Sequence, residues 1–221
     1  MQTRYIILLI IFTIGVTTGT ILLKPKSEKK PLNIFNPTDV DITLVDSTLH
    51  GLGRGHQIQN FSFKNQLGET ITQTTIKNKV FVVDYFFTTC NSICPIMTGQ
   101  MKRVQAAFLK QKDFLILSHT VWPEVDSVEQ LRKYASEKAV VNGKWHLLTG
   151  KKEELYKLAR KSYFVLKPKE TEDVGDGNSD FIHTNNFVLI DRQRRIRGYY
   201  DGTDSSEVTN LINDIKTLLK E

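Results

Sequence analysis

The chain has 221 residues, 40% apolar and 10% aromatic, enough for one globular domain with its own core. Its formal charge of +6 is unevenly placed: Arg4 and four lysines stand against Glu28 in residues 1–30, and the remainder is close to neutral. A domain so near neutrality lacks the basic stripe that nucleic-acid binding needs, so no nucleic-acid partner is expected.

Residues 1–4 are a short amino-terminal end. Tyr5 to Leu23 contains no charged residue and, as a helix rising about 1.5 Å per residue, would reach roughly 28 Å, close to the thickness of bilayer hydrocarbon. The run is long for a signal peptide, no Ala-x-Ala site follows, and no cysteine lies nearby for lipid attachment. A retained transmembrane anchor over 5–23 is therefore expected. The positive-inside rule would keep Lys24, Lys26, Lys29 and Lys30 cytoplasmic, whereas Arg4 and the amino terminus argue the other way. The residues before Arg4 leave no room for an Arg-rich mitochondrial transit peptide, so a bacterial inner membrane is expected rather than a mitochondrial one.

Residues 24–56 are polar, with Pro25, Pro31, Pro37 and glycines at 51, 53 and 55, and read as a tether followed by irregular structure. The domain proper is expected over 57–221. Gln57–Lys64 alternates around Phe61 and Phe63, turns through Asn65–Gly68 and returns over Glu69–Gln73, which predicts a β-hairpin. Val80–Phe87 is a continuous apolar run, suited to a strand buried on both faces. Pro95 fits the start of a helix to about Lys110, with Met97, Met101, Val104 and Phe108 on one face. These methionines are read as core, not as copper-binding thioethers. Asp113–Ser118 predicts another buried strand. Asp126-Ser-Val-Glu129 is a capping-box pattern opening a helix to about Lys138.

Lys144–Leu148 predicts a short strand and Lys152–Ser162 a helix. Lys167–Asp180 is a long polar loop of the kind that often serves function. Phe187–Asp191 and Ile196–Tyr200 pair across Arg192–Arg195. Ser205–Lys220 closes the chain as a helix capped by Asp204. Strands alternating with helices, with a hairpin at each end, predict an α/β fold around a mixed sheet.

The sequence holds two cysteines, in Thr-Thr-Cys90-Asn-Ser-Ile-Cys94-Pro95. One reading is a structural disulfide in an extracytoplasmic domain. Closing so short a loop contributes only about 2 kcal/mol in the chain-entropy model, against nearly 5 for a hundred-residue loop. The functional reading rests on position: the pair follows a buried strand and precedes a helix, with Cys94 at the expected N-cap. A helix N-terminus stabilises the thiolate that attacks disulfides and binds metals. Two thiolates are soft ligands that favour Cu(I), with zinc the competing ion, and a third ligand is then needed. Of five histidines, His50 and His56 lie in the irregular lead-in, His146 reads as a core histidine and His119 ends a strand. His183, between the long polar loop and a strand, is the candidate third ligand.

Phe87-Thr88-x-Cys90-x-x-x-Cys94-Pro95 after a buried strand resembles the Sco/SenC family of membrane-anchored copper proteins. Pro123-Glu124-Val125-Asp126-Ser127, Trp145-His-Leu-Leu-Thr-Gly150, and His183 ahead of Phe187-Val-Leu-Ile-Asp191 resemble further family segments in the same order. Together they cover about residues 60–219. The resemblance implies a thioredoxin-like mixed sheet flanked by helices, with an extra amino-terminal hairpin and the one transmembrane helix. It implies copper, as Cu(I) or Cu(II), held by Cys90, Cys94 and His183. It implies a part in assembling the copper centre of cytochrome c oxidase subunit II, from a domain facing the periplasm. Asn91, Phe86 and Trp122 depart from the family's usual residues but leave the three implied ligands intact.

Two functions follow. As a metallochaperone, the chain binds copper through the reduced dithiol and passes it to subunit II or another acceptor, with a thioredoxin-like reductant as a further partner. It is then not an enzyme in the turnover sense. As a thiol–disulfide reductase, Cys90 attacks a partner disulfide and Cys94 resolves it. Arg192, Arg194, Arg195 and Arg197 are read as a solvated turn, with docking of an acidic partner as the alternative.

Overall fold

The computed structural model describes residues 31–165 and 184–221, together with Tyr5, Thr13 and Gly15. The chain divides into two units, Met1–Pro31 and Leu32–Glu221. In the first unit Tyr5, Thr13 and Gly15 are helical. The rest of the expected anchor over 5–23, the polar loop 167–180 and His183 lie outside the described residues. Among the described residues no helix is long and apolar enough to cross a membrane.

The second unit opens with three short 3-10 turns, Pro37–Asp39, Ile42–Leu44 and Ser47–Leu49. Asp41 and Asp46 cap the latter two by accepting from the N–H two residues on. Val45 from this segment is fully buried in the core.

The expected amino-terminal hairpin is β1 (Ser62–Asn65) with β2 (Thr70–Thr72), paired antiparallel. Asn65 accepts the N–H groups of Leu67 and Glu69 on its side-chain oxygen, and Gly68 at φ +79 completes the turn. β3 (Val80–Phe86) is buried along its whole length. Phe81, Val83 and Tyr85 join one core cluster, while Val80, Val82 and Phe86 join the other with Cys94. The period-two alternation thus sends the strand's side chains to both faces.

α1 (Cys94–Ala107) follows, then β4 (Phe114–Thr120), α2 (Val128–Glu137), β5 (Trp145–Thr149) and α3 (Lys152–Leu158). A π-turn, Ala159–Tyr163, ends α3 and leads to Phe164 at φ 53. β6 (Asn186–Ile190), β7 (Ile196–Asp201) and α4 (Ser205–Leu218), capped by Asp204, complete the chain. The order across the seven-stranded sheet is β2-β1-β5-β4-β3-β6-β7. The central strands β5, β4 and β3 are parallel, and β1, β6 and β7 pair antiparallel outside them. α1, α2 and α4 cover one face with Met97, Met101, Leu131 and Leu211; α3, the π-turn and Ile58 cover the other.

The helix that sequence assigns to Asp126 has Ser127 as its cap, whose hydroxyl accepts the Gln130 N–H at 3.2 Å. Asp126 turns inward, because the hydroxyls of Thr120, buried at the end of β4, and Thr88, half-buried in the loop after β3, reach its carboxyl. Of the arginine hairpin expected to be a solvated turn, Arg192 and Arg194 do stay partly exposed, and Arg197 is the exception. Arg197 is 5% exposed and, with Arg195, holds the buried Asp191.

Candidate metal centre

β3 delivers the chain at Phe86 to the end of the sheet where the cysteines lie. The Ile93 carbonyl accepts the Met97 N–H at 3.0 Å, so Ile93 is the N-cap of α1 and Cys94 its first helical residue, one position inside the expected cap. Both cysteines are free thiols, Cys90 half-buried and Cys94 buried. Partial burial opposes a Cys90 thiolate. Hydrogen bonds from the Cys94 thiol, the Ser92 hydroxyl and backbone N–H groups of both residues outweigh it, and the Cys90 pKa falls below its ordinary value. Burial pushes the Cys94 pKa up to about 12, with the hydrogen bond to Cys90 and the nearby Asp84 carboxyl acting the same way. One sulfur is thus biased toward the nucleophilic thiolate while its neighbour keeps a proton to donate to it.

The loop ahead of Cys90 is fixed by a buried carboxyl. Asp126 Oδ1 accepts the Thr88 hydroxyl at 2.5 Å, both its oxygens lie 3.3 Å from the Thr88 N–H, and Oδ2 accepts the Thr120 hydroxyl. Gln130 Nε2 donates to the Thr88 hydroxyl oxygen at 3.0 Å. Burial raises the Asp126 pKa ahead of the opposing bonds from Thr120 and Thr88. Beneath the helix, Asp84 accepts the Ser118 hydroxyl, whose oxygen accepts the Trp145 indole N–H at 2.7 Å. Sequence reading missed Asp84 and its partners; the signal available was a single carboxylate inside an otherwise apolar and aromatic run. Phe87 and Trp122 meet edge to face at 6.2 Å, and Ile96 in the first turn of α1 is 52% exposed.

Four of the five histidines are described, and each is engaged or buried away from the thiols. His50 Nε2 lies 3.1 Å from the Val45 carbonyl and His56 Nε2 2.8 Å from that of Ser162. His146 Nδ1 accepts from Asn65 at 3.2 Å, as a satisfied core histidine should. His119 is fully buried, stacked on Tyr85 at 5.2 Å, and neither ring nitrogen has a hydrogen-bond partner among the described residues. Among the described residues no group of three His, Cys, Asp or Glu side chains could hold a metal. The structure therefore brings Cys90 and Cys94 together, while His183 lies outside the described residues.

The chain re-enters at Thr184, and Asn185 is pinned by the Gly202 N–H, which donates to its carbonyl at 2.7 Å. A Cβ on Gly202 would lie 2.9 Å from that carbonyl and 2.6 Å from the Phe187 ring, so only glycine permits this approach. β6 then runs antiparallel to β3, with Val83 opposite Val188. The start of β6 therefore lies at the end of β3 from which Cys90 follows.

The model of the SCO1/SenC family matches residues 51–220. The crystal structure of a SCO1/SenC family lipoprotein from Bacillus anthracis is 30% identical, covers 74% of this chain and 95% of its own, and superposes with a TM-score of 0.65. A structure of BsSco, described as a member of the Sco family of cytochrome c oxidase assembly proteins with a disulfide switch, is 30% identical over 74% of this chain and 93% of its own, TM-score 0.62. ScoI of Bradyrhizobium japonicum, solved with copper bound, is 23% identical over 74% of this chain and 99% of its own, TM-score 0.58, a likeness of fold. The architecture is the thioredoxin-like α/β mixed sheet expected.

Proposed function

The chain belongs to the SCO1/SenC family, and from that premise we propose that it is a copper-binding metallochaperone. Its cargo goes to, or its chemistry prepares, the copper centre of cytochrome c oxidase subunit II. The observation that carries this reading is the pair of free thiols at the start of α1, Cys90 half-buried and Cys94 buried, whose pKa values are pushed in opposite directions. Such a pair has two useful states. As a disulfide it is empty; two electrons and two protons from a thioredoxin-like reductant open it to the dithiol. Cu(I) then displaces the thiol protons and is held by two soft sulfurs, with zinc as the competing ion.

His183 is the proposed third ligand. It precedes a strand that starts at the cysteine end of β3, and Asn185, two residues on, is held there by Gly202. Copper bound in the ScoI neighbour and the assembly role stated for BsSco support the same reading. The run 5–23 is the proposed anchor in a bacterial inner membrane, with the domain in the periplasm. The Bacillus anthracis relative is a lipoprotein; in this sequence both cysteines belong to the dithiol, and the apolar run takes the anchoring part.

A thiol–disulfide reductase is the second reading, favoured by the thiolate bias at Cys90 and the disulfide switch described for BsSco. Cys90 would attack a partner disulfide and Cys94 would release the product, so the same pair serves both roles in sequence.

An anaerobic Cu(I) titration of the reduced chain from Pro31 onward separates them. One copper per chain is expected, with affinity reduced at least about tenfold in His183→Ala, since even the loss of an outer-shell partner of a metal ligand costs about that much. Dithiol oxidation should survive that substitution. Equal uptake without His183 would remove the imidazole from the site, and no uptake by the unaltered chain would sink the chaperone reading.

A further inference from the structure

The end of the sheet opposite the dithiol carries a concentration of positive charge. β3, β4 and β5 all begin there, Val80 level with Phe114 and Ile116 with Trp145. The loops that feed them contribute Lys77, Lys79, Lys110 and Lys112, and the β6–β7 turn adds Arg192 and Arg194. These segments touch: Lys79 Nζ donates to the Lys112 carbonyl at 3.3 Å, and Arg192 reaches Asp113 at 3.9 Å. A cleft of about 300 Å³ is lined by Lys77, Arg192 and Arg194 with Asn60, Gln73 and Asn78, and no carboxylate lines it. Leu109 and Val141, 48% and 40% exposed, line a second cleft at this end with Lys110 and Lys112. Of the carboxylates at this end, Asp113 faces Arg192, Asp191 is held by Arg195 and Arg197, and Glu221 by Arg197; Glu69 and Glu137 stay exposed at its β5 edge, outnumbered by the lysines and arginines.

The chain enters the domain at this same end. Arg197 donates to the carbonyls of Leu32 and Asn33, both at 3.0 Å, and Phe35 bridges to Ile196, the first residue of β7. Between Leu23, where the apolar run stops, and Leu32 lie residues 24–31, a stretch that spans at most about 28 Å. It contains Lys24, Lys26, Lys29 and Lys30.

We infer that this basic end of the domain is a docking surface for anionic lipid headgroups, which holds the dithiol on the far side of the sheet from the bilayer. The inference rests on the proposed anchor at 5–23. Cations near an anionic surface are attracted within about a Debye length, and exposed apolar side chains among them enter the interface. An acidic protein would also suit the charge. The short lysine-bearing tether entering at this end favours the membrane, since it confines the surface near lipid before any partner arrives. The seven residues of β3, about 23 Å at strand rise, separate this surface from the cysteine loop.

The test adds the full chain to vesicles of phosphatidylcholine alone or with one-third phosphatidylglycerol and follows backbone hydrogen exchange. Exchange at residues 108–113 and 139–143 should slow at least about fivefold with phosphatidylglycerol only, fade at high salt, and leave 88–96 unchanged. Lys77→Glu/Lys110→Glu/Lys112→Glu, all at exposed positions, should abolish the slowing while melting at the same temperature. Leu109→Ser/Val141→Ser should weaken it. Exchange that ignores lipid charge, or protection that survives the triple reversal, overturns the inference. So does protection by polyglutamate without protection by phosphatidylglycerol, which would assign the surface to an acidic protein. Alkaline carbonate extraction reads the anchor separately: a stripped chain loses the anchor reading, while lipid-dependent protection still decides the surface.

Discussion

Asp84 occupies the middle of β3 with Ser118 opposite it in β4, and among the described residues no cation pairs with it. Burial lifts its pKa to about 7, ahead of the opposing bond from Ser118. An unfolded aspartate titrates near 3.8, so between about pH 4 and 7 the folded protein holds a proton that the unfolded chain has released. The sign follows: Asp84 does not weaken the fold below about pH 4, and its penalty grows as pH rises to 7 and is complete above it. At its upper bound the penalty is about 4 kcal/mol. Asp84→Asn keeps the shape and removes the titration. Urea unfolding of the reduced protein at pH 5 and pH 8 should show unaltered chain losing more stability than the Asn variant over that interval. Asp126, also raised, has the same sign in both proteins and cancels. Equal losses would show that Asp84 stays protonated or stays solvated throughout.

Among the elements, β6 and β7 set the approach of the chain toward the thiols. Gly202 ends β7 with its N–H on the Asn185 carbonyl, and there is no room there for a Cβ. Gly202→Ala should lower stability by about 1–3 kcal/mol, the usual scale of overpacking. If His183 is a ligand, it should also release copper faster, because the displaced segment is the one that carries it. Urea melts and copper transfer to a chelator measure the two effects; a stable variant with unchanged release would mean that Asn185 does not position the site. The strands themselves were legible from sequence: runs such as Val80–Phe87 and Asp113–Ser118 are apolar for a reason that local pattern expresses. Asp126 was not legible, because the partners that draw it inward, Thr88 in the loop after β3 and Thr120 at the end of β4, lie 38 and 6 residues away. A local pattern sees Asp, Ser and Glu at capping spacing and cannot tell which of two neighbouring oxygens the tertiary structure will claim. The thiol pair was legible because its chemistry lies within one turn; the opposite shifts of its two sulfurs depend on how deep α1 sits on the sheet.

At the scale of the whole molecule, Arg197 joins what the sequence keeps far apart. Its guanidinium reaches Leu32 and Asn33 at the start of the domain, Asp191 at the end of β6 and Glu221 at the carboxyl end, with every contact between 3.0 and 3.1 Å. Read as part of a run of arginines, it looked like surface charge; the run conceals it because its neighbours Arg192 and Arg194 are only half-buried. Arg197→Ala would leave Asp191 with Arg195 alone and strand two carbonyls, and should lower stability by about 2–4 kcal/mol. Arg197→Lys keeps the charge but not the planar fork, so the two carbonyls are no longer held together. Both variants should speed exchange of the Phe35 amide, which bonds to Ile196 at 2.9 Å, while amides in β3 and β4 keep their protection. Uniform loss of protection would instead make Arg197 an ordinary core residue. Local fraying would make it the clasp that holds the start of the domain, Leu32 to Phe35, at the end of the sheet opposite the thiols.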